Sequence, residues 1–287
     1  MALDRVHSSE TQLFYTGVRI PAIQSINFST EKQTTDIRPL GRLSYGERIL
    51  NSNQTASFTY SNLITIGASG QDPFYNYQLS DSGFMNATSY GFNIKDFAGQ
   101  NTITGAYLSS YSLKGAVGSF VEGESSYVGE VVSFEASNSI GFDNMSSDSF
   151  DIFRPRDISI VTSGSISTDG VESISTANLS IQSFDISVAT SRQPINRLGS
   201  RTPEFRYPSL PIDGTLNVSF LKTSVTGIDM GPLVLDTGTI TVELKDDADD
   251  TIMRFINSGC SLKSVSEGVD LDGNNVLNFS YVICIKK

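Results

Sequence analysis

The feature that most constrains the fold of this chain is a block of sequence that occurs twice. Residues 23–43 read IQSINFSTEKQTTDIRPLGRL and residues 181–201 read IQSFDISVATSRQPINRLGSR, with seven of the 21 aligned positions identical. Each block opens on period-two alternation, Ile23, Ser25 and Asn27 against Gln24, Ile26 and Phe28, which predicts a β-strand. Each then passes through Arg-bearing sequence to Leu-Gly (Leu40-Gly41 and Leu198-Gly199), where glycine permits a turn. Further echoes follow in the same order: Thr55–Tyr60 with Thr215–Phe220, Ile94–Asp96 with Leu244–Asp246, Ser112–Lys114 with Ser261–Lys263, and Glu122-Gly123 with Glu267-Gly268. Their offsets, from the first block onward, are 158, 160, 150, 149 and 145 residues, a drift of the kind loop insertions produce. The ordered set predicts two tandem copies of one β-rich unit, with a first domain over residues 1–145, a linker over 146–156 and a second domain over 157–287.

A chain of 287 residues with 38% hydrophobic and 18% charged side chains can bury a core in each half. Net charge is −11, shared evenly: 8 basic and 14 acidic residues over 1–150, 12 and 17 over 151–287. A uniformly acidic protein does not hold DNA by neutralising phosphates. The two cysteines, Cys260 and Cys284, are too few for a disulfide scaffold and read as reduced core thiols. They lie 12 residues either side of Asp272, so a hairpin turning at Asp272-Gly273 would bring them roughly opposite each other. The opening MALDRVHSSETQ lacks the apolar run of a signal peptide, and no window approaches the 18 apolar residues of a membrane helix, so neither export nor a membrane partner is expected.

Between the first strand and its return at residues 55–67 lies a long polar stretch, 30–54, with Arg38, Arg42 and Arg48; a loop of that length reads as a hairpin arm leaving the body. The second copy has its counterpart near 190–214, with Arg192, Arg197, Arg201 and Arg206 among four prolines that favour an extended course. Both arms are net basic, +1 over residues 31–48 and +3 over 190–206, while the bodies are acidic. This recurrence predicts contacts between the arms and acidic surface on a neighbouring copy. Residues 246–257, DDADDTIMRFIN, predict a short helix, with aspartates at its start, an Ile252/Phe255/Ile256 stripe and Gly259 beyond its end. The expected fold class is therefore mainly β: two tandem β-sandwich or barrel domains, each with a long hairpin arm and a short flanking helix.

Residues fit for catalysis are scarce. The only histidine, His7, sits in a polar N-terminal segment, no His/Cys set has zinc spacing, and no phosphate-binding GxxxxGK[ST] loop occurs. Asp270-Leu-Asp272-Gly-Asn-Asn275 begins like a calcium loop, but position 12 from Asp270 is Tyr281 rather than Glu, and Asp-Gly between apolar runs reads as a hairpin turn. No catalytic residue, metal site or cofactor is assigned.

The residues Ile23-Gln24-Ser25 leading to Leu40-Gly41, the strand 55–60, Gly105–Leu113 and Gly129–Glu135, recurring in part in the second half, resemble bacteriophage tail tube proteins. That resemblance implies a β-sandwich or barrel with a flanking helix, whose arm and termini join subunits into stacked rings around an acidic lumen through which DNA slides. Single-domain members form hexameric rings, so two fused copies imply a trimeric ring of pseudo-sixfold symmetry. It implies a structural virion protein, assembled in the host cytoplasm, with sheath, baseplate or terminator proteins as partners. Intersubunit contacts are expected at Arg38, Arg42 and Arg48 in one arm and Arg197, Arg201 and Arg206 in the other. The alternatives are a tube initiator, terminator or baseplate ring of the same fold and, from another class, a secreted two-domain adhesin or carbohydrate-binding protein.

Overall fold

The computed structural model describes residues 11–31, 34–37, 47–50, 55–66, 89–96, 99–136, 151–153, 158–163, 179–199, 203–222, 237–245, 251–269 and 275–285. Every regular element among them is a β-strand, as expected for runs rich in β-branched and aromatic residues. In the first half these are β1 (Gln12–Tyr15), β2 (Val18–Arg19), β3 (Ile23–Glu31), β4 (Thr34–Ile37), β5 (Glu47–Leu50), β6 (Thr55–Leu63), β7 (Thr65–Ile66), β8 (Tyr90–Lys95), β9 (Gly99–Ala116) and β10 (Glu122–Ala136). The second half contributes β11 (Asp151–Ile152), β12 (Ile158–Ser163), β13 (Leu179–Ala189), β14 (Arg192–Asn196), β15 (Pro203–Pro208), β16 (Ile212–Lys222), β17 (Thr237–Lys245), β18 (Thr251–Val269) and β19 (Asn275–Ile285). Thirteen strands share one sheet, and the remaining six form the pairs β4–β5, β14–β15 and β7–β11.

Within the large sheet the strand order runs β1-β8-β9-β10-β6-β3 in the first half and β12-β17-β18-β19-β16-β13 in the second. Taken in chain order the two series have the same connectivity, each with a two-stranded hairpin between its second and third strands. The match extends to register. Ile23 pairs Asn62 and Ser25 pairs Ser61, skipping Gln24; Ile181 pairs Phe220 and Ser183 pairs Ser219, skipping Gln182. The arms agree likewise, Thr34 opposite Leu50 and Arg192 opposite Pro208. A constant shift of 158 residues converts one set into the other. Beyond the arms the shift is 154: Ser126 pairs Thr59 and Ser110, while Ser280 pairs Asn217 and Ser264.

These registers correct four of the sequence echoes. Ile94 pairs Asn101 as Val242 pairs Phe255, so Ile94 stands at the position of Val242, two residues from the expected match with Leu244. Thr215 stands at the position of Ser57, two residues from the expected match with Thr55. Leu262 corresponds to Leu108 rather than Leu113. Glu122-Gly123 opens β10 whereas Glu267-Gly268 closes β18, so that pair does not correspond at all. Short matches of small and polar residues slide easily along alternating strands; hydrogen-bonded ladders do not.

The expected helix is also overturned. Residues 251–257 belong to β18, with Ile256 opposite Thr241 and Phe255 opposite Val242. The Ile252/Phe255/Ile256 spacing fits a helix face, but Thr251–Ile256 is short and rich in β-branched and aromatic side chains, and β17 supplies a partner ladder. Asp246–Asp250 lie outside the described residues, and among the described residues no flanking helix occurs.

The two strand series meet. Strand β9 has two partners along one edge: β8 beside its first part, Gln100 to Ala106, and β13 beside its last, Ser110 to Ala116. The first strand of the repeated block thus extends the sheet of the other half. On one face of the junction Phe184, Ile186 and Val188 lie opposite Gly115, Leu113 and Tyr111, all buried except for the glycine's missing side chain. Gly115 makes room for a ring: a Cβ there would lie 2.6 Å from the Phe184 edge. The buried side chains of both halves form one cluster, from Leu13, Phe58 and Phe92 to Leu216, Phe279 and Ile283. Part of the stretch between the halves joins it, for Phe153 is fully buried and its N–H donates to the Ile64 carbonyl at 3.3 Å.

Strands β18 and β19 pair up to Val269 opposite Asn275; the expected turn at Asp272-Gly273 lies outside the described residues. A register shift between Leu262 and Ser264 then moves Cys260 opposite Ile283, while Cys284 lies opposite Asp213 on β16. The cysteines are therefore not cross-strand partners in this ladder, and Cys260 is buried. We expect Cys260 to resist thiol reagents in the native chain and to react only on unfolding. Phe184→Ala should lower stability by about 3–5 kcal/mol in urea unfolding, because it empties the junction pocket.

Candidate assembly surface

Three features mark the periphery: the arms, one broad polar face and the outer sheet edges. The β14–β15 arm is fastened at its base. The Thr190 N–H donates to the Ser109 carbonyl at 2.7 Å and the Ser209 N–H to the Ser191 carbonyl at 2.8 Å. Arg192 donates through Nε to the Leu108 carbonyl at 2.5 Å and through Nη1 to the Arg206 carbonyl at 3.2 Å. Its guanidinium lies 5.6 Å from the Tyr107 ring centroid. Burial lowers the Arg192 pKa from its ordinary value, against the opposing influence of Tyr90 and Tyr107. Burial, with the neighbouring Tyr15 phenol, pushes Tyr90 up to about 12 despite Arg192 beside it. Arg192 thus ties the arm to β9 at the point where the two strand series meet.

The arginines expected to make intersubunit contacts divide accordingly. Arg197 projects from the tip, 73% exposed, with Nη1 3.8 Å from Glu204 Oε1 of the same arm, a weak surface pair. Arg206 is buried at 7% exposure, so within the chain it is a structural residue of the arm. Arg48 stands opposite Asp36 in the β4–β5 ladder, and Arg38, Arg42 and Arg201 lie outside the described residues. Arg192 was not among the expected contacts; its place directly after the duplicated strand was the available signal. Charge is also only part of the arm's chemistry. Leu198 is fully exposed, and Ile195, Tyr207 and Leu210 are 42–56% exposed, an apolar surface of the kind that marks contact sites.

The polar face of the large sheet runs through both halves. Starting at β3 it carries Ser25, Asn27 and Ser29, then Ser57, Thr59 and Ser61, then Glu124 and Ser126, then Ser110 and Ser112. Across the junction it continues through Ser187 and Asp185, Thr215 and Asn217, Asn278 and Ser280, and Ser264 and Ser266. Cross-strand hydroxyls bond to each other: Ser29–Ser57 at 2.7 Å, Ser25–Ser61 and Thr59–Ser126 at 2.8 Å, Ser187–Thr215 at 2.9 Å. The equivalence of Ser29–Ser57 and Ser187–Thr215 shows the repeat at the level of single bonds. Cross-strand register puts Glu31, Glu122, Glu124, Glu130, Asp185 and Asp213 on this face, with Lys114 as a basic exception, paired with Glu122 at 3.1 Å. The result is a broad surface of small hydroxyls and carboxylates.

Among the described residues no group of three or more His, Cys, Asp or Glu is placed to hold a metal ion, and no helix is long and apolar enough to cross a membrane. His7 and residues 270–274 lie outside the described residues. No protein-family model and no curated protein matches the chain.

Removing the Arg192 clamp strands two carbonyl acceptors. Arg192→Ala should cost about 1–3 kcal/mol in thermal or urea unfolding and make the arm an early target of limited proteolysis. Arg192→Lys should restore little, since a single ammonium does not reproduce the fork that reaches both carbonyls.

Proposed function

We propose that this chain is the structural subunit of a bacteriophage tail tube, polymerising as stacked rings into the hollow conduit for DNA, and that it has no catalytic role. The observation that carries the reading is the β9–β13 junction: one repeat of the fold accepts the edge strand of another and continues its sheet. A protein that already joins two like units edge to edge has the contact a ring requires, provided the rotation per unit closes. In this reading the chain is two tandem tube domains of sandwich or barrel type, and three chains supply six quasi-equivalent positions. The arms reach neighbouring units, with Arg197 and Leu198 at the exposed tip of the second.

The acidic hydroxyl face supports the same reading. Small side chains make a smooth wall, and its carboxylates outnumber Lys114, the basic residue placed on this face, so the wall repels phosphate and DNA would move past without being held. The hydroxyls keep that wall hydrated and bonded internally.

Negative-stain electron microscopy and light scattering of the purified chain test the proposal. Hollow filaments with a regular axial repeat and threefold end views are expected. Discrete rings that never stack would replace the tube by an initiator or terminator, and a monomer that binds glycans would replace it by an adhesin. Arg197→Glu with Arg201→Glu should abolish tube growth while leaving the thermal unfolding transition in place; normal tubes from that variant would remove the arms from the assembly.

A further inference from the structure

The internal junction is a template for the contact between chains, and it predicts that contact residue by residue. We infer that β3 of one chain pairs antiparallel with the last part of β18 of a second copy, repeating between chains what β13 and β9 do within one. This rests on the reading that the chains assemble side by side.

Both edges exist and are related by the repeat. Among the described residues strand β3 ends the sheet, having β6 as its partner on one side, and it corresponds to β13. Strand β18 corresponds to β9. Its pairing with β17 stops at Ser261, and among the described residues no strand lies on that side of Ser264–Val269. That is the stretch equivalent to Ser110–Gly115, where β13 docks.

Transferring the register by the two shifts puts Ile26 opposite Val269, Asn27 opposite Gly268, Phe28 opposite Glu267, Ser29 opposite Ser266, Thr30 opposite Val265 and Glu31 opposite Ser264. In this register hydroxyl meets hydroxyl at Ser29–Ser266, as Ser187 meets Ser112 within the chain. The polar face would then run on from chain to chain.

Burial points the same way. At the internal junction Phe184, Ile186 and Tyr111 are buried at 0–3% exposure. Their counterparts at the outer edges, Ile26, Phe28 and Val265, are only partly buried against the core. Glu267 stands in place of the buried Leu113, and a charge at this position suits an edge that must not pair with arbitrary strands.

The direction of the amides identifies the decisive backbone group. Val117 N–H donates to Gln182 O at 2.8 Å and Thr190 N–H to Ser109 O at 2.7 Å, so odd-numbered residues of this part of β9 aim their amides at β13. The equivalents on β18 are residues 265, 267 and 269, whose amides point away from β19. Ser29 and Ser266 are then a non-hydrogen-bonded pair, with Cα atoms about 4.5 Å apart, within disulfide reach.

The test mixes full-length chains bearing Ser29→Cys with chains bearing Ser266→Cys, in a Cys260→Ala, Cys284→Ala background, under mild oxidation. Disulfide-linked dimers are expected on non-reducing gels, at least tenfold above either chain alone and above the diagonal control pair Ser29→Cys with Ser264→Cys. Filaments by electron microscopy without the Ser29–Ser266 link would overturn the junction and leave the tube reading standing. The link in closed rings that never stack would keep the junction and overturn the tube. Neither link nor assembly would overturn both.

Discussion

The pairing of β13 with β9 is the constraint on which the rest of the molecule depends. Without it the chain would be two series of strands tied by a connection around Phe153; with it, thirteen strands share one ladder and the buried side chains form a continuous cluster. The pairing is possible because β9 outruns its other neighbour. At 18 residues it passes β8 and still offers backbone for β13, and the bulges where it meets β10 re-aim it between the two partners. Length in one strand thus becomes adhesion between two repeats.

The two faces of the sheet explain why the register cannot slip. Along each strand apolar residues alternate with Ser, Thr, Asn and carboxylates, so a one-residue shift would bury hydroxyls and expose Phe58, Tyr127 or Phe279. Phe58, Phe92 and Tyr127 interlock with ring centroids 4.7–5.2 Å apart, anchoring the first half. In the second half, Phe279 stands edge-on to Phe220 at 5.5 Å. On the polar side the Ser29–Ser57 pair recurs as Ser187–Thr215, and in the core Tyr127 recurs as Tyr281 while Phe58 is replaced by Leu216.

Much of this was legible in the sequence. The twofold block, the β class, the arms as hairpins and the antiparallel pairing of the last two strands all follow from alternation and turn chemistry. What failed did so for one reason: strand pairing is non-local. Residues 251–256 carry an apolar spacing that a helix would use, and only β17 decides against it. Cys260 and Cys284 look opposed until the register shift at Leu262–Ser264 displaces them. The strongest echo of the second half, Ser126-Tyr127-Val128 with Ser280-Tyr281-Val282, was in plain view, and it is the one that occupies equivalent ladder positions. Arg206 illustrates the limit of charge counting, since a basic residue in an exposed arm proves to be buried.

A duplicated chain has an advantage that two separate copies lack. In a ring of single units every contact forms at the expense of lost translational freedom, whereas fusion makes every second contact intramolecular and raises the effective concentration of its edges. The internal junction can then be selected for permanence, with Gly115 admitting the Phe184 ring and Leu113 packed on Ile186. On the proposed assembly the outer edges are held to a different standard: they must stay soluble until chains meet, and they carry Glu31 and Glu267 beside half-buried Ile26 and Phe28. The asymmetry between a sealed inner joint and a guarded outer one is what sequence divergence between the two copies of a self-assembling repeat should leave behind.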